Sequence, residues 1–231
     1  MAPRSYWKSS SSTPTEAGLT RDYLSGLIYA TKRWPGTPIV VMGHSLGASI
    51  AICLLNNILL GNNENLGRIG DRITGLIVEN PFTSVPDMVR ILYESRWLPY
   101  YYLGHFVWDR WDALHNLQEI SPGASASSTG PRTVLEKLAR SMLVLTSESD
   151  EIVPPAMGRE LYNKALGVSD DSTASTSKDP DSKTSSMLPS AKLVVVRGAL
   201  HDNGWTKQAW RDAVAGYIDS RCRKSRSRSK G

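Results

Sequence analysis

The sequence predicts an α/β fold, in which a mostly parallel sheet carries helices on both faces. Short apolar runs rich in β-branched residues, too brief for helices, are typical of buried parallel strands. Stretches that suit helices separate these runs, and such alternation indicates right-handed crossovers within one parallel sheet. The chain has 231 residues, of which 40% are hydrophobic and 21% are charged. This composition suits one globular domain with a sizeable core.

The first predicted element is a helix that begins at a capping box. Thr13 stands at the cap position and Glu16 at the third helical position. An apolar helical face follows, and a Pro- and Gly-containing segment at residues 34–38 ends the helix. The apolar run at residues 39–42 is the first predicted strand, and residues 48–60 form the next predicted helix.

Three further strands are predicted at residues 73–78, 142–145 and 193–196. Two segments stand outside this order because they lack large apolar side chains. Residues 168–190 are rich in Ser, Thr and Asp, so we predict a disordered surface insertion. Residues 121–130 form a shorter loop of the same kind.

The predicted domain covers residues 13–220, between an irregular segment at residues 1–12 and a basic tail at residues 221–231. The net charge of +5 belongs to the tail, whose basic side chains outnumber it, so the body is slightly acidic. We interpret the tail as a solvated segment, with a site for anionic lipid or nucleic acid as the alternative. No nucleic-acid-binding motif is visible in the body, and we expect no nucleic-acid partner.

Aromatic side chains concentrate at residues 86–118, which we predict to form a helical cap or lid. Such rings suit an acyl-binding wall, and Trp and Tyr also suit a membrane interface. Core packing of the cap helices is the alternative, and both interpretations stay open.

The chain offers neither a disulfide framework nor a membrane-spanning segment. Its two cysteines, Cys53 and Cys222, do not form a disulfide or cysteine-rich metal pattern. No apolar run reaches the roughly 18 residues that a membrane span needs, and no secretory signal is visible. We therefore expect a cytoplasmic or membrane-peripheral location.

A candidate nucleophile elbow follows the first predicted strand: Gly43-His44-Ser45-Leu46-Gly47. In such an elbow a serine occupies a sharp turn between strand and helix, and the glycines on either side leave room for the turn. The hydroxyl then stands at the positive end of the helix, where the amide of Leu46 can face an oxyanion. Ser45 is the candidate nucleophile, and an ordinary turn serine is the alternative.

A serine nucleophile needs a base, and the base needs an orienting carboxylate. In hydrolases with such an elbow, the acid and then the histidine follow later strands. Asp150 follows the third predicted strand and His201 follows the fourth. Glu79, after the second strand, is an alternative acid, and Glu148 and Glu151 flank Asp150.

Six short motifs occur over most of the chain in the order that one protein family shows. They are TPTEAGL at 13–19, PGTPIVV at 35–41, GHSLG at 43–47, ENPFTS at 79–84, DEIVPP at 150–155 and HD at 201–202. With these motifs the chain resembles the bud-emergence-type branch of α/β-hydrolase-domain proteins, which is related to monoacylglycerol lipases and palmitoyl-protein thioesterases. The resemblance implies an α/β-hydrolase fold and a triad of Ser45, Asp150 and His201. It further implies hydrolysis of a lipid-like carboxylic ester or thioester with no metal or organic cofactor.

The sequence also departs from this family. Members carry several strands and a His-Gly loop upstream of the segment that matches residues 13–19, and the loop supplies a second oxyanion donor. No His-Gly pair occurs in the 231 residues, so we expect an N-terminally incomplete chain. Because loss of one donor costs on the order of 100- to 1000-fold in rate, we also expect weak or absent activity. A non-catalytic binding or scaffold protein is the alternative function.

Overall fold

The computed structural model describes residues 15–60, 64–92, 109–120, 131–168 and 191–228. Several features predicted from the sequence lie outside these ranges. They are the irregular N-terminal segment, the cap residue Thr13, nearly all of the Ser/Thr/Asp-rich insertion, the loop at 121–130, and the aromatic residues at 93–108.

Four strands form one parallel sheet with the order β1-β2-β3-β4. They are β1 Ile39–His44, β2 Ile73–Glu79, β3 Leu143–Ser147 and β4 Lys192–Val196. The four predicted strands are therefore confirmed, with ends that differ by one or two residues. Because all four run in the same direction, the segments that follow them gather at one edge of the sheet.

Helices alternate with these strands, as the sequence predicts. They are α1 Glu16–Arg33, α2 Leu46–Asn57, α3 Glu64–Arg72, α4 Val85–Leu92, α5 Ala113–Glu119, α6 Val134–Ala139, α7 Pro155–Leu166 and α8 Gln208–Arg228. None of the helices in the described ranges is long and apolar enough to cross a membrane.

Helix α1 begins later than the capping-box prediction places it. Its cap is Thr15, whose Oγ1 accepts from the amide of Gly18 at 3.1 Å, and Glu16 is its first residue rather than its third. The side chain of Glu16 accepts from the amides of Arg110 and Trp111 instead of the cap amide. A long-range contact thus takes the role that the prediction gave to a local one.

The core lies on both faces of the sheet. Successive side chains of a strand point to opposite faces, so Leu76 and Ile77 enter different clusters. Leu76 packs with α2 residues such as Leu55, whereas Ile77 packs against Val214 of α8. Since β2 and β3 are buried on both sides, their sequences contain the uninterrupted apolar runs at residues 76–78 and 143–145.

Helix α8 runs through the boundary predicted at residue 220, and Arg221 is 5% exposed rather than solvated. Its guanidinium donates to the carbonyl of Ser141 and lies 4.6 Å from the ring centre of Tyr217. The Tyr217 hydroxyl donates to the same carbonyl at 2.9 Å and accepts from the amide of Leu76 at 3.0 Å. The first basic residue of the predicted tail therefore holds α8 against the turn that precedes β3.

Candidate active site

The predicted catalytic residues follow three strands of the sheet at its carboxyl edge. Ser45 follows β1, Asp150 follows β3 and His201 follows β4. The topology therefore brings residues that are far apart in sequence to one edge, as the order of strands predicts.

Ser45 occupies the turn between β1 and α2 in a backbone conformation that L-residues rarely adopt. Its φ is 52° and its ψ is −121°. Such a conformation costs on the order of 1–3 kcal/mol and is a mark of functional turns. The amide of Ser45 donates to the carbonyl of Glu79 at 2.8 Å, which fixes the turn against the end of β2.

The two glycines of the elbow differ in what they permit. A Cβ on Gly43 would lie 2.2 Å from the carbonyl oxygen of Gly47, so only glycine fits there. A Cβ on Gly47 would meet no atom of the described residues within 4 Å. The predicted need for space therefore holds for the first glycine, whereas the second contributes its closely approaching backbone.

Leu46 is the first residue of α2 and half-exposed. The first amides of a helix have no acceptor within the helix, and they carry its positive end. The amide of Leu46 is thus suited to donate to an anion formed beside Ser45.

Asp150 and His201 form a buried pair. Nδ1 of His201 lies 2.8 Å from Oδ2 and 3.0 Å from Oδ1 of Asp150. The His201 side chain is 9% exposed and the Asp150 side chain is 1% exposed. A carboxylate accepts, so Nδ1 donates the proton, and the neutral ring keeps Nε2 as its acceptor. Oδ1 of Asp150 also accepts from the amides of Ile152 and Val153, at 2.9 and 2.7 Å.

The alternative acid, Glu79, is bonded elsewhere. Its Oε1 accepts from Nε1 of Trp210 at 2.7 Å, and the residue is 7% exposed. Burial raises the pKa of Glu79, an effect that the Trp210 hydrogen bond and the nearby rings of His44 and His201 partly offset. Of the two acids, Asp150 is the one whose carboxylate contacts the ring of His201.

The other two nearby carboxylates bind backbone amides rather than the imidazole. Oε2 of Glu151 accepts from the amide of His201 at 3.0 Å, and Oε2 of Glu148 accepts from the amide of Gly198 at 3.0 Å. Glu151 and Glu148 thus stabilise the segment after β4 by accepting from its backbone amides.

Sequence reasoning gave no role to Asn80 and treated His44 only as a member of the elbow. Both donate to the carbonyl oxygen of His201, from Nδ2 of Asn80 and Nε2 of His44, each at 2.8 Å. The signals for Asn80 were its membership of the ENPFTS motif at 79–84 and its place directly after a buried strand.

One aromatic ring of the predicted lid, that of Trp111, lies in the described ranges and packs into the core. Trp111 is 4% exposed and clusters with Ile50, Cys53 and Phe82. For this ring the core-packing alternative is correct. Burial in the same cluster raises the pKa of the Cys53 thiol to about 12, with smaller contributions from the acidic groups nearby.

An apolar groove of about 610 Å³ lies beside the elbow, between α1, β1 and α2. Its walls include Leu27, Val41, Met42, Leu46 and Leu54. As for metals, no group of three or more His, Cys, Asp or Glu side chains in the described ranges is placed to hold an ion.

Comparisons with known proteins point in one direction. Protein bem46 of Schizosaccharomyces pombe is 33% identical over 156 residues, which are 66% of this chain and 41% of that protein. Lysophosphatidylserine lipase ABHD12 of Bos taurus is 30% identical over 162 residues, which are 69% of this chain and 35% of that protein. The chain thus spans well under half the length of these relatives. No family model matches it.

Among solved structures, the esterase Pf2001 of Pyrococcus furiosus superposes with a TM-score of 0.54 at 17% identity. The superposition covers 93% of this chain and 67% of the esterase. At this level of identity the likeness concerns the fold alone.

Proposed function

Because the chain belongs to the bud-emergence branch of the α/β-hydrolase superfamily, we propose that it is a serine hydrolase with Ser45 as nucleophile, His201 as base and Asp150 as acid. The observation that carries the proposal is the contact of 2.8 Å between His201 Nδ1 and the buried Asp150 carboxylate. A histidine held in this way keeps Nε2 free for the proton of a serine hydroxyl.

In the first half of the proposed reaction, the Ser45 hydroxyl attacks the carbonyl carbon of an ester or thioester. Nε2 of His201 takes the hydroxyl proton as the new C–O bond forms, and Asp150 stabilises the resulting imidazolium. The amide of Leu46 donates to the oxyanion. When the tetrahedral intermediate collapses, the alcohol or thiol leaves with the proton from His201, and the acyl group stays on Ser45.

In the second half, water attacks the acyl-enzyme. His201 takes a proton from the water, and the same amide stabilises the second oxyanion. Collapse releases the carboxylic acid, and the proton returns from His201 to the Ser45 oxygen. Every group in this cycle is restored, so it consumes only the substrate and one water.

For the substrate we propose a lipid-like ester or thioester. The groove beside the elbow is lined mainly by aliphatic side chains, which suit an acyl chain better than a polar group. One relative is named a lysophosphatidylserine lipase, which supports a lipid substrate for this chain as well. We also propose that the chain contacts a membrane surface through the aromatic segment or the basic C-terminal residues.

The test is covalent labelling by a fluorophosphonate, measured as intact mass on folded protein. We expect one adduct on the unaltered chain and none on Ser45→Ala, because the probe reacts only with an activated serine. Ser25→Ala is the matched control, since Ser25 is an exposed serine whose hydroxyl donates to the carbonyl of Arg21 in its own helix.

Labelling that persists in Ser45→Ala would refute the assignment of the nucleophile. Absence of labelling on a folded, unaltered chain would instead favour a non-catalytic binding protein. If the adduct forms, acyl-chain esters and thioesters of graded length then identify the substrate class.

A further inference from the structure

The carbonyl oxygen of His201 is held by two side chains, those of His44 at the end of β1 and of Asn80 directly after β2. Nδ2 of Asn80 and Nε2 of His44 both donate to it, each at 2.8 Å. A carbonyl oxygen has two lone pairs, so this oxygen is fully used. We propose that Asn80 and His44 are positioning residues that fix His201 against the elbow by holding its carbonyl, an inference that rests on the proposed hydrolase function.

The backbone N–H and both side-chain polar atoms of Asn80 are hydrogen-bonded. Its amide donates to the carbonyl of Leu145, its Oδ1 accepts from the amide of Ser147 at 2.8 Å, and its Nδ2 also donates to the Ser147 hydroxyl at 3.1 Å. The residue is 3% exposed, and its φ is 45°, a left-handed conformation that Asn tolerates better than most residues. The side-chain amide of Asn80 therefore has one orientation, in which Nδ2 points at the carbonyl of His201.

His44 adds a direct connection to the nucleophile. It precedes Ser45, and its ring centre lies 4.8 Å from that of His201. The amide of Ser45 is in turn bonded to the carbonyl of Glu79, the residue before Asn80. The elbow and the His201 segment thus share one anchor at the end of β2.

The hydrogen bonds to the carbonyl of His201 control the distance between the His201 segment and Ser45, which Asp150 does not control. Asp150 sets the tilt of the imidazole through Nδ1, and Glu151 holds the amide of His201. The carbonyl bonds set how far the whole segment stands from Ser45. Because a misplacement of about 1 Å in a reacting geometry can cost about 100-fold in rate, loss of these donors should slow the chemical step.

The experiment compares His44→Phe, which keeps an aromatic ring but removes the donor, with His44→Gln, which keeps an N–H of similar reach. His44 is exposed, so both chains are expected to fold. With active sites counted by fluorophosphonate, we expect His44→Phe to lower kcat on a short-chain ester on the order of 10- to 100-fold. His44→Gln should restore most of it.

A second readout does not depend on activity. The proton that His201 Nδ1 shares with Asp150 should give a far-downfield proton resonance, absent from His201→Ala. We expect it to broaden or shift in His44→Phe and in Asn80→Gly, which keeps the left-handed backbone accessible. It should persist in His44→Gln and in the control Thr206→Val, which removes a different side-chain bond, to the carbonyl of Asn203.

The outcomes separate the two proposals. Unchanged kcat and an unchanged resonance in His44→Phe and Asn80→Gly would overturn the positioning role. The same conclusion would follow if His44→Gln lowered kcat as much as His44→Phe does. If the unaltered chain is not labelled but the resonance responds as expected, the hydrolase proposal fails while His201 is still held by these donors.

Discussion

Oδ2 of Asp150 lies 2.8 Å from Nδ1 of His201, and the carboxylate is almost fully shielded from water. Two backbone amides, those of Ile152 and Val153, donate to its other oxygen. The carboxylate is thus oriented before a substrate arrives. It fixes the ring tautomer that leaves Nε2 able to accept a proton.

Replacement of this acid by its amide should nearly abolish turnover. In Asp150→Asn the side chain keeps its shape, but its NH₂ favours the wrong imidazole tautomer. We expect kcat on a short-chain ester to fall on the order of 10⁴-fold, the loss typical of such a change in a triad. The measurement is steady-state kinetics on folded protein.

Two variants serve as comparisons for this prediction. Glu148→Gln replaces an exposed carboxylate that accepts from the amide of Gly198, a bond that glutamine can keep, and should retain near-normal turnover. If Glu79→Gln abolished turnover and Asp150→Asn left it intact, Glu79 would be the acid.

The glycines of the elbow should differ in their effect on stability. In Gly43→Ala the new methyl would lie 2.2 Å from the carbonyl oxygen of Gly47 and 2.6 Å from the amide of Ala48. Backbone must move, so we expect the free energy of unfolding to fall by about 1–3 kcal/mol or more. Urea unfolding followed by circular dichroism measures the change.

Gly47→Ala is the matched control, since its methyl meets open space and the residue lies in the first turn of α2. Alanine stabilises a helix relative to glycine by up to about 1 kcal/mol, so the stability of this variant should be unchanged or higher. Equal losses in both variants would argue against the close approach at Gly43.

Glu79→Gln should change how stability depends on pH. Burial raises the pKa of Glu79 in the folded chain above the ordinary value of 4.5, so the folded state binds its proton more tightly than the unfolded state. Stability from this group is therefore complete below the ordinary value and is lost as pH rises through the folded pKa. Glutamine has no such loss and can still accept from Trp210.

The measurement is the urea midpoint of both chains from about pH 4 to pH 8. We expect the variant to match or exceed the unaltered chain at neutral pH and to lose this advantage as the pH falls. Glu148→Gln, which removes an exposed carboxylate, should follow the unaltered chain. A Glu79→Gln advantage that grows as the pH falls would contradict the sign of the shift.

Local patterns in the sequence determined the strands, the elbow and the chain order of the candidate triad. Apolar β-branched runs specify buried strands because only such side chains suit a sheet covered on both faces. The glycine at position 43 could be assigned from sequence because the turn around Ser45 is short and its steric demand is local. The sequence favoured Asp150 as the acid but kept Glu79 as an alternative, since both follow strands.

Tertiary structure alone decided which groups meet. It placed Asp150, not Glu79, at the imidazole. It brought Asn80 and His44 to a carbonyl 121 and 157 residues away. It also buried Arg221, which composition assigned to a solvated tail. Such contacts depend on how the parallel strands assemble, and no pattern within a few residues of Asn80 or Arg221 encodes the distant carbonyl that each will meet.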